Sequence, residues 1–368
     1  MITPEIALYL SSNLSSVKQI HSPTVKSKFY ILKRPLNDIF GQKADTNSFK
    51  FDLNRYSYHF KLKTADEVNK LWLVFITYEK KNELVKGVTW AIENSNSILL
   101  VSKARSSIFD MCERAFNQLF PDLSQFYLTR LEFIELLKKY EDQYQHQLTS
   151  SYYTLRRSKS SGDGDKRRTT ITYTTKTKLG DVFNEADLNN MWISSIRING
   201  SKERPDGFVD IVKFGLGNNT KMSIKRGYAI RILEFFQKEI ETVAIQRYQL
   251  LRNRSRIKTA EHQIKPLFLE FEENVFESKD RIDEFLGIIV KYKNSQYSII
   301  HSGNPHLFMT ISDTKDRSTL NIKSVGLNLA VIVPQIRTSA SSLLRFISFI
   351  IKNYGECKIS ESISGSPD

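Results

Sequence analysis

Residues 206–226 read DGFVDIVKFGLGNNTKMSIKR, and this stretch determines the fold that we predict. Apolar and polar side chains alternate with period two on both sides of Gly215 to Asn219, as in extended strands with two unlike faces. The glycines and asparagines between them are typical of a tight reversal between antiparallel strands. From Tyr228 the period becomes helical, with apolar residues at Ile230, Leu233, Phe236, Ile240 and Val243. The stretch therefore predicts a hairpin that leads into a helix, with positive charge on one strand face.

The composition indicates a globular chain with a basic surface. Its 368 residues include 54 Lys and Arg against 40 Asp and Glu, a net charge of +14. This length suggests two or three domains. Excess positive charge either keeps a protein soluble or binds a polyanion, since cations that contact phosphates release counterions. We expect nucleic acid rather than a membrane, because no stretch combines a strongly basic helical face with an opposite face of Trp and Leu.

The expected compartment follows from features that the sequence lacks. Cys112 and Cys357 are too few for a disulfide framework or a cysteine zinc site. The first residues have no basic region followed by a long apolar run, so we expect no secretory signal. No apolar run approaches the roughly 18 residues of a membrane span. We therefore expect an intracellular protein, cytoplasmic or nuclear.

Strands followed by a helix are predicted at two further places in the chain. They are clear over 56–120 and looser over 267–353, where residues 286–292 are predicted as one of the strands. We predict an α+β fold of two or three units, each an antiparallel four-stranded sheet plus a helix (ββββα-like). The expected organisation is an N-terminal arm and first strand (1–55), a first unit with an extra helix (56–148), a basic linker (149–168), a second unit (169–265), a third unit (266–355) and a disordered tail (356–368).

The junctions between strand and helix suggest an internal repeat. Residues 97–103, 220–226 and 318–324 share a small residue, an apolar one, a β-branched one and then polar or basic ones. The predicted ββββα order, the turn of 215–219, the strand that follows it and the next helix together resemble the PUR repeat. They are also similar to the related Whirly and positive-cofactor coactivator folds. The resemblance is clearest over 190–245. It implies binding of single-stranded nucleic acid on a curved antiparallel sheet.

The candidate binding residues are mostly cations, which can contact the phosphates of a single strand while aromatic rings stack on its bases. Strand alternation places several of them on one side of the hairpin, and two further groups lie in the predicted linker and after the long helix. The candidate nucleic-acid-binding residues are Arg197, Lys213, Phe214, Lys221, Lys225, Arg226, Arg156, Arg157, Arg167, Arg168, Arg252, Arg254 and Arg256.

Catalytic chemistry has little support in the sequence. No phosphate-binding loop, nucleophile elbow or dinucleotide fingerprint is present. His301, His306 and Asp313 match no metal-ligand spacing. Two residues separate Asp210 from Lys213, whereas a metal-dependent nuclease core has one. On an extended strand the extra residue sends Lys213 to the opposite face. We expect no cofactor and no catalytic metal.

The leading hypothesis is a non-enzymatic protein that binds single-stranded DNA or RNA. One alternative is a structural or assembly protein whose units pair with each other and whose charge attracts an acidic protein partner. Another is a metal-dependent nuclease centred on Asp206 and Asp210. A homodimer, the choice between DNA and RNA, and the base preference are left open by the sequence.

Overall fold

The computed structural model describes Ile6 and most of residues 24–362. The described ranges are 24–41, 48–53, 56–66, 68, 70–80, 83–94, 96–103, 106–117, 122–156, 170–189, 191–204, 207–255, 265–293, 295–303, 306–335, 337–354 and 357–362. The predicted N-terminal arm lies almost entirely outside these ranges.

Thirteen strands form the first sheet, and every strand pair described in it is antiparallel. Alternating or continuous apolar residues favour the strands. The strands are β1 (Val25–Leu32), β2 (Ser48–Leu53), β3 (Tyr56–Asp66), β4 (Leu71–Lys80), β5 (Glu83–Glu93), β6 (Ser97–Ser102), β7 (Leu123–Gln125), β8 (Gln147–Arg156), β9 (Thr170–Tyr173), β10 (Thr177–Lys178), β11 (Trp192–Arg204), β12 (Gly207–Gly217) and β13 (Lys221–Arg226).

Strand β1 joins the two halves of this sheet. The strand order is β10-β8-β11-β12-β13-β1-β6-β5-β4-β3-β2, with β7 paired to β1 and β9 paired to β8. β1 is bonded to β13 on one side and to β6 on the other, and seven of its eight residues are buried. The segment expected to follow a peripheral arm is therefore central to the sheet.

Seven helices lie in the described part of the chain. They are α1 (Leu36–Gly41), α2 (Ser106–Asn117), α3 (Arg130–Tyr144), α4 (Leu179–Leu188), α5 (Ala229–Arg254), α6 (Lys279–Ile289) and α7 (Ala340–Asn353).

The helices cover opposite faces of the two halves of the first sheet. α2 packs Phe109 and Phe116 against the face that carries Tyr30 and Leu100, over β3 to β6. α3 and α5 pack against the other face, which carries Phe214 and other apolar residues of β8 and β11 to β13. One face of β8, β11, β12 and β13 is left without a covering helix among the described residues.

The second sheet contains six strands in the order β15-β16-β17-β18-β14-β19, and all of its described pairs are antiparallel. They are β14 (Leu267–Glu270), β15 (Ser295–Gly303), β16 (His306–Asp313), β17 (Ser318–Ser324), β18 (Leu329–Pro334) and β19 (Lys358–Ser360). Buried residues of α6 and α7 join the sheet in a core that continues into the α3 and α5 side of the first sheet.

The structure confirms the mixed α+β class with antiparallel sheets. The predicted hairpin with a helix after it is β12, β13 and α5, and α5 continues into the basic group that the prediction places after it, ending at Arg254. α3 is also predicted, and a capping box between Thr129 and Glu132 sets its first turn. No described helix is long and apolar enough to cross a membrane.

Several predicted elements are wrong. The predicted linker begins too early, because residues 149–156 belong to β8 and pair with β11. Residues 286–289, predicted as a strand, end helix α6, whose buried residues recur at helical spacing after the Ser278 N-cap. The predicted disordered tail contributes β19, which pairs with β14. Helix α4 and strand β18 are absent from the prediction.

Candidate nucleic-acid interface

An open groove lies on the sheet face that the helices leave uncovered, and its volume is about 780 Å³. Its floor is a row of neighbours on adjacent strands: Tyr152 pairs with Arg197, Arg197 with Gly215, and Gly215 with Ser223. Ser223 in turn pairs with Lys26 of β1. At about 4.8 Å between strands, this row of five strands is roughly 20 Å long.

At the centre of the groove, Gly215 exposes the backbone, because it has no side chain. A Cβ atom at this position would lie 2.9 Å from Oγ of Ser223 and 3.6 Å from Cγ of Arg197. A side chain here would therefore fill the space between those two residues. The glycine lets a ligand approach the sheet closely.

Arg197 and Tyr152 form a flat charged platform beside this glycine. The Arg197 side chain is exposed, and its guanidinium carbon lies 4.4 Å from the centre of the Tyr152 ring. Cation–π contact at this distance holds the guanidinium over the ring. Arg156 is also exposed and lines the same groove from the end of β8. Such a set of groups can stack on a base and bind the adjacent phosphates.

Lys221 lies in the wall of the groove between the sheet and α2. Its ammonium group is 2.7 Å from a carboxylate oxygen of Asp110 and 2.9 Å from one of Glu113. Burial lowers the pKa of Lys221, but the hydrogen bonds to these two carboxylates outweigh burial, and the net shift is upward. The charge of Lys221 is therefore already balanced within the protein, which weakens its predicted role as a phosphate ligand.

Lys28, the partner of Lys221 in the β1–β13 register, is completely buried beneath the groove. Its ammonium group donates to the carbonyl of Asn219 at 2.5 Å and lies 3.6 Å from Glu113. Burial lowers the pKa of Lys28 to about 8, and the Glu113 carboxylate opposes that shift. Lys28 thus ties the β12–β13 turn to the middle of the sheet.

The β12–β13 turn closes one side of the groove. Thr220 has a φ of 63°, and its hydroxyl donates to the carbonyl oxygen of Phe29 in β1. The Asn219 side chain accepts from the backbone N–H of Lys221, and Asn218 accepts from the backbone N–H of Leu128. These bonds fix the turn that the asparagines predict.

The predicted cationic site residues that the structure describes fall into three groups. Arg156, Arg197 and Lys221 line the groove. Lys213, Lys225 and Arg226 are exposed on β12 and β13 beyond its lining, and Lys213 pairs with Arg226. Arg252 is exposed on α5, and Arg254 is 2.6 Å from Glu361, both away from the groove. The remaining arginines, Arg157, Arg167, Arg168 and Arg256, lie outside the described residues.

Phe214 corrects the prediction of a stacking ring on β12. It is buried, with its ring centre 5.3 Å from those of Tyr140 and Phe236 on α3 and α5. Alternation puts Phe214 on the covered face of β12, whereas Lys213 and Gly215 lie on the other. The ring therefore belongs to the core.

Sequence reasoning missed Lys26 and Tyr152 as groove residues. Lys26 lines the groove because β1 pairs with β13, almost 200 residues later in the chain. Tyr152 was assigned to a linker and lies in β8. The alternation of Lys26 and Lys28 with Val25 and Ser27 could have indicated a polar strand face, although not its partner.

The described residues contain no group of three or more His, Cys, Asp or Glu side chains placed to hold a metal ion. His306 and Asp313 are at opposite ends of β16, and Asp313 forms an ion pair with Arg345. The register of β11 and β12 passes from Asp210 to Val212 and skips Ile211, so the strict alternation assumed between Asp210 and Lys213 does not hold. Asp206 lies outside the described residues.

No protein-family model matches the chain, and no curated protein matches it either.

Proposed function

We propose that this protein binds single-stranded nucleic acid in the groove on the first sheet. The observation that carries the proposal is the uncovered sheet face, where two arginines, a tyrosine ring and a central glycine line one groove of about 780 Å³. Arginines supply charge for phosphates, the guanidinium held over the tyrosine ring supplies a flat stacking surface, and the glycine gives a strand access to the backbone.

The shape favours a single strand over a duplex. Proteins that read a duplex insert a helix or a β-ribbon into its major groove. Here the cations lie on a recessed sheet face, with the first turns of α2 as one wall. An unpaired strand can lie in such a groove, whereas no described helix or strand projects from the sheet at this position.

The resemblance to the PUR repeat is part of the same proposal. β3 to β6 are neighbours in the sheet and precede α2, β8 and β11 to β13 precede α5, and β15 to β18 precede α7. This order supports three ββββα units, the second of which contains α4 and carries the groove. The helices of the first and second units, α2 and α5, cover opposite faces of the first sheet. An equivalent of the groove is therefore not expected at the same place in each unit.

Binding to labelled strands of about 12 nucleotides, within the usual range of site sizes, tests the proposal. Single-stranded and duplex forms of DNA and RNA are compared at about 50 and about 200 mM salt with magnesium present. We expect tighter binding to single strands, weakening at the higher salt, and intact product on a denaturing gel. Equal or tighter binding to the duplex would contradict the proposal, and cleavage of the strand would favour the nuclease alternative.

Assembly is a second candidate function, supported by edge strand β15. Its residues Tyr297, Ile299 and Ile300 are 44%, 42% and 57% exposed, and no described strand pairs with its outer side. Natural edges are often protected by charges or proline. The β15 segment SQYSIIHSG contains no Asp, Glu, Lys, Arg or Pro, so two copies can pair without like-charge repulsion.

We therefore propose a second copy of this chain as the occupant of the β15 edge. Sedimentation of the wild type and of an Ile299→Lys variant tests this pairing. A dimer that dissociates in the variant is expected, and a wild-type monomer at all concentrations would exclude it. An acidic protein partner would instead leave the wild type monomeric.

A further inference from the structure

A second cationic cleft adjoins the proposed strand groove. It has a volume of about 300 Å³, at the small end of the range for ligand pockets. It lies where α7 meets β7 and the segment after α6. No described lining residue carries a carboxylate. Five cations line the cleft: Lys291, Lys293, Lys315, Arg345 and Lys352.

The cleft and the groove share two lining residues. Tyr127 and Lys352 line both of them. A ligand in one is therefore separated from the other only by the width of these side chains. A strand that leaves the groove beside Lys352 meets the cationic cleft directly.

The wall of the cleft is held in place by buried contacts. Arg345 forms an ion pair with Asp313, and its Nε donates to the Tyr292 hydroxyl at 2.9 Å. The Tyr292 ring packs 5.0 Å from that of Phe349, centre to centre. These contacts fix a half-buried aromatic ring in the wall before any ligand arrives. Asp313 balances the charge of Arg345, so the cleft offers an anion the charge of its lysines.

The tyrosines in the wall keep their hydroxyl protons at neutral pH. Burial raises the pKa of Tyr127 and of Tyr292 to about 12 in each case. The Tyr127 hydroxyl donates to Gln125 at 2.7 Å, and Gln125 donates to Asn117 at 2.6 Å. The wall thus brings no negative charge of its own to oppose an anion.

We propose that this cleft binds a terminal phosphate-bearing nucleotide of the single strand in the groove. The volume fits one nucleotide and excludes a duplex, the lysines supply charge for a phosphate dianion, and Phe349 offers a ring to the base. The inference rests on the proposed function, because the shared residues Tyr127 and Lys352 connect the two sites.

The test compares single strands that carry a 5′ phosphate, a 3′ phosphate or neither, using the full-length chain. Charge-assisted hydrogen bonds lead us to expect about tenfold tighter binding of one phosphorylated form. In a Lys291→Gln/Lys293→Gln variant this ratio should fall to about one. In the control Arg156→Gln/Arg197→Gln variant overall affinity should fall while the ratio persists. A wild-type ratio of one for both termini would overturn the inference.

A titration with adenosine monophosphate separates this inference from the proposed function. If no strand binds, the groove proposal fails. Binding of the mononucleotide that weakens in the Lys291→Gln/Lys293→Gln variant would still support the cleft as a nucleotide site. If neither the strands nor the mononucleotide bind, the cleft inference fails together with the groove proposal.

Discussion

Lys28 and Lys221 are directly opposite each other across the β1–β13 ladder, and Glu113 of α2 contacts both ammonium groups. Like charges at such positions destabilise a sheet unless a counter-charge lies between them. Glu113 supplies that charge and connects α2 to the strand that joins the two halves of the sheet. The groove is therefore built beside a partly buried ionic cluster, in which Lys28 is completely buried.

Replacement of Glu113 by glutamine should destabilise the protein. We expect the free energy of unfolding to fall by about 2 kcal/mol, less than for most broken buried pairs because Lys28 can release its proton. Denaturant unfolding measures the change. Asp110→Asn is the control, since Asp110 hydrogen-bonds Lys221 from a more exposed position than Glu113, and it should cost less than about 1 kcal/mol. Equal effects of both substitutions would contradict the shared role of Glu113.

The contribution of Lys28 to stability should grow between pH 8 and pH 10. Folded Lys28 loses its proton near its lowered pKa of about 8, whereas the unfolded chain keeps that proton up to 10.5. For this group the unfolded state binds more protons in this window, so its contribution increases with pH, by about 2 kcal/mol. The raised pKa values of the buried Cys112 and Cys357 thiols act in the opposite direction from about pH 9, and that of Tyr30 from about pH 10, because these groups ionise first in the unfolded chain. The free energy of unfolding of the wild type should therefore rise with pH relative to that of Lys28→Met, and a constant difference between the two would contradict the lowered pKa of Lys28.

A large side chain at residue 215 should block the groove without changing its charge. In Gly215→Phe the ring would occupy the space between Arg197 and Ser223, so we expect single-strand affinity to fall at least about tenfold. The Ser223 hydroxyl can rotate away from the new Cβ, so thermal unfolding should change little. Gly215→Ala, whose methyl group fills less of the groove, should bind within about threefold of the wild type. Full affinity of the phenylalanine variant would show that strands bind elsewhere.

Substitutions of Phe214 and of Arg197 should have different effects, the first on stability and the second on strand binding. Phe214→Leu leaves a gap beside Tyr140 and Phe236 and should cost about 1–2 kcal/mol of stability, with unchanged affinity in the folded protein. Arg197→Gln should weaken binding with little effect on stability. Parallel measurements of unfolding and of strand binding check both. If the Phe214→Leu variant is stably folded but binds more weakly, the Phe214 ring contributes to the binding site.

The sequence predicts the local elements well and their long-range pairing poorly. The alternation around Lys213 and the glycine-asparagine turn determine β12, β13 and the charged face between them. The pairing of Lys26 with Ser223 joins segments far apart in the chain, and no local period encodes it. Phe214 was misplaced because an aromatic beside a lysine was taken as a surface residue, whereas the burial of α5 on that strand face decides its position.

Helix α6 shows a second limit of local reasoning. Its β-branched run Ile288 to Val290 favours a strand by propensity, but packing of Ile282, Phe285 and Ile289 in the core favours the helix. Tertiary contacts outweigh propensities of a few tenths of a kcal/mol per residue.

The salt dependence of single-strand binding tests the central claim most directly. The measurement compares the slope of log affinity against log salt concentration for the wild type and for Arg156→Gln/Arg197→Gln. If both arginines contact phosphates in the groove, the slope should become shallower by about 1.4, at roughly 0.7 per phosphate contact on a single strand. An unchanged slope, or binding by the wild type that does not respond to salt, would contradict the assignment of this groove as the nucleic-acid interface.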